Sequence, residues 1–169
     1  MNIRKQIRLR AIAGYLLSAL IGAACAHLPT GTVMTSRASG TFDVKLSPQA
    51  ADAKTEGAVP GRMLIDKQFH GALEAASKGQ MLAAMSEVKG SAGYVAIEQV
   101  SGTLDGKRGS FILQHTGTMN RGVPSLSVTV VPDSGTGELR GLSGSMTINI
   151  VDGKHFYDFD YILADKAAN

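Results

Sequence analysis

From residue 39 onward apolar and polar side chains exchange places at nearly every step, over stretches of eight to fourteen residues separated by glycine-bearing turns. A period of two belongs to half-buried β-strands, because successive side chains point to opposite faces of a sheet. Ser39–Leu46 sets Phe42, Val44 and Leu46 on one face, and seven further stretches follow at 62–75, 80–88, 93–104, 109–119, 124–131, 138–151 and 154–163. Propensity leaves 80–88 open to a short helix, and a strand is expected. Asp105-Gly106 and Asp152-Gly153 are two-residue hairpin signals. Ser77-Lys78-Gly79 and Asn120-Arg121-Gly122 read as further turns, and Ser47–Gly61 as the one long loop. The 20 glycines exceed the usual share of about 7% and fit a chain of turns and close strand contacts.

Eight strands joined mostly by short links suit an up-and-down antiparallel meander. Closing it into a barrel removes both exposed edges and leaves an interior for side chains or one small ligand. A two-sheet β-sandwich is the alternative, although its crossovers want longer connections than most of these turns supply.

The first 26 residues read differently. Arg4, Lys5, Arg8 and Arg10 precede an uncharged run from Ala11 to Ala24, and Ala24-Cys25-Ala26 supplies a small-x-small cleavage site. That order marks a secretory signal peptide, and the run is shorter than the roughly 20 residues a transmembrane helix needs. Cys25 is also the lipidated residue of the rival processing route. The expected division is a signal peptide at 1–26, a flexible segment at 27–37, one barrel domain at 38–164 and a tail at 165–169. Residues 1–26 hold four basic and no acidic residues, so their removal takes the formal charge from +3 to −1. No Lys/Arg cluster of the kind a nucleic-acid footprint requires remains. Cys25 is the sole cysteine, which leaves the barrel without a disulfide or a thiolate.

Catalytic motifs are sparse. No Gly-x-Ser-x-Gly elbow occurs, and Gly135-x-Gly137 with Gly141 has the wrong spacing for dinucleotides and opens a strand where that motif opens a helix. His70, His115 and His155 show no metal-ligand spacing, so neither cofactor nor metal is expected.

The more informative signal is which polar residues interrupt apolar faces. Lys67 sits among Met63, Ile65, Phe69 and Leu73; Glu98 among Tyr94, Ala96, Val100 and Leu104; His115 among Phe111, Leu113 and Met119. His155, Tyr157 and Tyr161 share a face with Phe159 and Leu163. A two-residue turn at 105–106 pairs Glu98 with Leu113, and one at 152–153 pairs His155 with Ile150 and Tyr157 with Ile148. An apolar interior with a few convergent polar groups is how small-molecule sites are built. The opposing interpretation is a satisfied core network with Lys67 snorkelling to the rim. In the first interpretation Glu98 and His115 are the acid/base candidates, and Lys67, Phe111, His155, Tyr157 and Tyr161 line the ligand site. Gln68, His70 and Gln114 belong to the outward face and become the candidates only if the register is inverted.

The segments SGTFDVKL (39–46), IDKQFHGALEAASKGQML (65–82), KGSAGYVAIEQVSGTLDGKRGSFILQHTGTMNRG (89–122) and LSVTVVPDSGTGELRGLSGSMTINI (126–150) resemble a bacterial family of unknown function placed with the allene oxide cyclase-like barrels. The resemblance implies an eight-stranded barrel. It carries over no catalytic role, because the polar cavity residues of the plant cyclases find no counterparts here. Two functions are therefore carried forward. The first is a module binding a small apolar or amphipathic molecule; the second is an isomerase or cyclase acting on a reactive hydrophobic substrate, with Glu98 and His115 as its groups. The expected partners are a small hydrophobic ligand and, as in related barrels, further copies of the chain. No nucleic acid is expected, and a membrane only through lipidation.

The N-terminal reading is checked by mass spectrometry of the protein from its native host. The expected first residue is His27, or an acylated Cys25. Intact Met1 on the protein would overturn it.

Overall fold

The computed structural model describes residues 34–50 and 60–164. The expected signal peptide at 1–26, with Cys25, and the expected tail at 165–169 lie outside the described residues. Eight strands run in chain order around a closed antiparallel barrel: β1 (Ser36–Gln49), β2 (Gly61–Gly71), β3 (Leu73–Met85), β4 (Ala92–Leu104), β5 (Lys107–Asn120), β6 (Val123–Val130), β7 (Leu142–Val151) and β8 (Lys154–Leu163). Closure is made by β1, whose Ser36–Phe42 pairs with Tyr161–His155 of β8.

The Asp-Gly turns behave as their chemistry dictates. Asp105 and Gly106 both take positive φ, 47° and 77°, the mirror-image turn that matches the twist of the flanking strands. That turn sets Glu98 opposite Leu113, and the Asp152-Gly153 turn sets His155 opposite Ile150 and Tyr157 opposite Ile148, as expected.

Several boundaries differ from the sequence reading, among them the strand expected to run to Val88, which ends at Met85. Pairing with Tyr161 and Asp160 draws Ser36 and Arg37 into β1. Ser47–Gln49 pairs with Leu64–Arg62, so β1 runs into the expected loop. The β2–β3 reversal lies at Gly71-Ala72, not at Ser77-Lys78-Gly79, whose three residues sit inside β3 opposite Lys67, Asp66 and Ile65. Gly71, at φ 108°, takes the bend, while a serine and a glycine in mid-strand imitate a turn. Finally, Gly137–Leu139 forms a 3-10 turn instead of opening a strand, and β7 starts at Leu142. The turn buries Leu139 in the core cluster, where its side chain packs over Gly109.

Inward residues fill one end of the barrel. Phe69, Leu73, Leu104, Phe111, Leu113, Leu139, Leu142, Phe159 and Tyr161 belong to a single buried cluster there. Outward positions are mostly exposed, but they include Leu64, Leu82, Val95 and Ile97, which is why β4 alternates ambiguously in the sequence. Tyr161 closes this end, its hydroxyl donating to the Asp105 carboxylate at 2.6 Å and so tying β8 to the β4–β5 turn.

Burial, reinforced by Asp105, pushes the Tyr161 phenol up to about 12. A folded-state value raised above the unfolded 10 gives stability that is whole below pH 10 and fades as pH climbs through 12. Urea denaturation should therefore show a loss between those pH values in the native protein that Tyr161→Phe lacks. At neutral pH that variant should be about 1.5–3 kcal/mol less stable, the usual worth of a hydrogen bond to a charged group.

Candidate functional site

Lys67 on β2, Ser77 on β3, Glu98 on β4 and His115 on β5 all point inward, and all four are buried. Alternation brings them together: Lys67 pairs directly with Ser77, Glu98 lies opposite Gly79, and His115 lies opposite Ala96, one inward step from Glu98. A side chain at Gly79 would approach the backbone of Ile97 and Glu98 to under 3 Å, so glycine lets β3 and β4 close up beside the carboxylate.

Glu98 is the hub, with no solvent exposure at all. Ser77 Oγ donates to its Oε1 at 2.6 Å, and Lys67 Nζ donates to its Oε2 at 2.7 Å. The ammonium of Lys67 also lies 4.9 Å from the centre of the Phe42 ring and 5.6 Å from that of Phe69, within cation–π range. His115 Nε2 lies 3.2 Å from Oε2, an ion-pair distance that stabilises the carboxylate, although that nitrogen makes no hydrogen bond of full geometry. Burial alone would push the Glu98 carboxyl up. The His115 ring, the Lys67 charge and the Ser77 hydroxyl outweigh it and hold the carboxyl at about 2.

Above this cluster, toward the other end of the barrel, inward side chains reach water. Inward positions toward that end are apolar yet exposed, with Leu46 at 48%, Met119 at 39% and Leu126 at 43%, while Met63, Met81, Tyr94 and Ile148 are half-buried. Tyr94 lies across Gly117, where a Cβ would collide with its ring. The polar cluster therefore forms the floor of an apolar mouth.

The expected site residues divide accordingly. Lys67, Glu98 and His115 meet at the floor. His155 is half-buried beside the mouth, its ring 4.9 Å from that of Phe42. Phe111, Tyr157 and Tyr161 do not join them. Phe111 stacks on Phe159 at 5.8 Å in the filled end. The Tyr157 hydroxyl accepts from the Leu73 N–H at 2.9 Å and donates to the His70 carbonyl at 3.3 Å. The Tyr161 hydroxyl is taken by Asp105. These three hold the fold, and the two tyrosine hydroxyls are already satisfied. Gln68, His70 and Gln114 face outward, so the register is not inverted. Ser77 and the two phenylalanines under Lys67 escaped the sequence reading. The signal for Ser77 was the period-two run Leu73, Ala75, Ser77, Gly79, Met81, masked by its small residues. Among the described residues, no group of three His, Cys, Asp or Glu is placed to hold a metal ion.

A family described as protein of unknown function, DUF3224, matches residues 38–161, and the chain belongs to it. A DUF3224 protein of unknown function from Shewanella oneidensis MR-1, known from its crystal structure, is 53% identical. The similarity covers 78% of this chain and all of that one, with a TM-score of 0.72. No curated protein shows significant similarity.

A carboxyl lowered from an ordinary 4.5 to about 2 lends stability that is whole above pH 4.5 and is lost as pH falls toward 2. Glu98→Gln should be less stable than the native protein at pH 7, with the difference shrinking across that window in denaturant titrations. Glu98→Ala, which strands Lys67, should cost about 3–5 kcal/mol. His70→Ala, on the exposed face, should stay within about 0.5 kcal/mol.

Proposed function

We propose that this barrel binds a small apolar or amphipathic molecule in its open end, against the floor formed by Lys67, Glu98 and His115. The observation that carries this is the inequality of the two ends. One is packed until its inward side chains have almost no exposure; the other leaves inward Leu46, Met119 and Leu126 in contact with water. Apolar area held open in this way gains about 25 cal/mol per Å² when a ligand covers it. His155, beside Phe42, and Tyr94 are the polar side chains that the ligand meets at the rim.

The isomerase or cyclase reading draws on one feature, the close His115–Glu98 pair, in which Nε2 makes no hydrogen bond of full geometry. The rest of the cluster argues for binding. A general base works best with a pKa near the working pH, and a Glu98 carboxylate held at about 2 is too weak a base for that task. Glu98 instead fixes Lys67 and Ser77 in place. Export is part of the same proposal and rests on the order of the features in residues 1–26. It places a ligand-binding barrel outside the cytoplasm, free or lipid-anchored at Cys25.

The test is a fluorescence titration with N-phenyl-1-naphthylamine, a neutral apolar probe, alongside native mass spectrometry of the purified protein. Saturable one-to-one binding is expected. Met81→Trp, which fills the mouth, should weaken it at least tenfold, and His70→Ala should leave it unchanged. Absence of saturable binding, or equal binding by the Met81→Trp protein, would overturn the proposal.

A further inference from the structure

The barrel wall is not equally sealed all round. Strands β5 and β6 share eight register pairs and β7 and β8 share ten, but among the described residues β6 and β7 share one, Thr129 with Ser145. That bridge sits toward the filled end. From it, β6 continues to Val123 and β7 to Val151 without pairing, so the two strands part toward the open end. Inward Leu126 and Ile150, along the two unpaired stretches, are 43% and 64% exposed. Pro124, in the parted stretch of β6, has no N–H to offer a neighbouring strand. The result is a slot in the wall, continuous with the mouth and edged by unpaired backbone.

The base of the slot reaches the polar floor. Val128, one residue before the bridging Thr129, is the register partner of His115 and is buried. The His115 ring thus stands just inside the point where the wall begins to open. Both Glu98 oxygens already accept, one from Ser77 and one from Lys67. His115 Nε2, 3.2 Å from Glu98 Oε2, is thus the buried nitrogen of the floor whose hydrogen bonding is incomplete, and inward Leu126, Ile148 and Ile150 line an apolar path from there outward.

We infer that the β6–β7 slot is the ligand's side door and the seat of its tail: the barrel takes an elongated amphiphile, with one hydrogen-bonding end at His115 and an apolar chain leaving between β6 and β7. This rests on the binding reading above and adds the ligand's shape and route. A chain seated there gains contact with apolar side chains along both edges, and the strand backbones can part without breaking ladder bonds. A compact ligand would need only the mouth.

The test uses the full chain in a Cys25→Ser background with Ser127→Cys and Thr147→Cys. These outward positions are each two residues beyond the Thr129–Ser145 bridge on the open side and become opposite when that register is extended. Oxidation with diamide, verified by mass, zips the slot while leaving the mouth open. N-phenyl-1-naphthylamine should then dissociate at least tenfold more slowly from the oxidised than from the reduced protein. Leu126→Trp, which fills the slot without a cross-link, should slow it likewise and keeps the test valid if the disulfide does not form. In hydrogen exchange, those amides of Ser125–Val128 and Thr147–Val151 that point away from β5 and β8 should exchange at least tenfold faster than those of the β4–β5 hairpin, and slow when the probe is bound. Unchanged dissociation in the oxidised and Leu126→Trp proteins, with binding intact, overturns the slot and leaves the binding reading standing. No binding in any form overturns both. Protection of these amides that rises with protein concentration overturns the slot in favour of a second copy pairing along the same edges.

Discussion

Pairing of β1 on both sides, with β2 along one edge and with β8 along the other, determines what every other strand presents to the interior. Once the sheet is closed, a residue's parity along its strand decides whether it faces water or core. A slip of one residue anywhere would turn a whole face outward. Phe42 shows the constraint most directly, since it is the register partner of both Phe69 and His155. Its ring packs against those two neighbours and lies beneath the Lys67 ammonium. Lys67 is inside because Phe69, two residues on, has to be, and Glu98 is inside because Val100 has to be. Charges that parity forces inward are tolerated only if they meet each other, and in this barrel they do.

Much of this architecture is legible in the chain itself. Eight alternating segments, a glycine-rich composition and two Asp-Gly turns lead to the barrel. The turns also set the register that makes Glu98, His115, His155 and Tyr157 interior residues. What misleads is local chemistry overruled by distant pairing. Ser77-Lys78-Gly79 has the composition of a turn, but it lies between two strands that need its small side chains, Ser77 to reach Glu98 and Gly79 to let the backbones approach. Gly137-Glu138-Leu139 alternates like a strand entry, but it forms a 3-10 turn that buries Leu139 in the core at the end of the barrel.

The candidate site was half legible for a related reason. Period two identifies the residues that face inward, but says nothing of depth along the barrel axis. Tyr157 and Tyr161 therefore look like pocket residues in the sequence, and only their partners, the Leu73 amide, the His70 carbonyl and the Asp105 carboxylate, show them to be structural. The converse holds at His115, whose incomplete hydrogen bonding at Nε2 emerges from geometry alone. The inequality of the two ends likewise depends on how far each strand extends beyond its neighbour, which the alternation does not encode.

The same closure orders the events of folding. Seven of the eight strand pairings join neighbours in the chain and can form as hairpins as soon as both strands exist. The eighth does not: Arg37 reaches Asp160, its bidentate partner, across 123 residues. Bringing such distant ends together costs about 2 kcal/mol more than closing a ten-residue loop, because closure entropy grows with the logarithm of length. The first strand to leave the ribosome must then wait for the last, with its outer edge unpaired. Until β8 arrives the nascent protein is a curled, open sheet with its apolar face to water, the state most prone to pairing with the wrong chain.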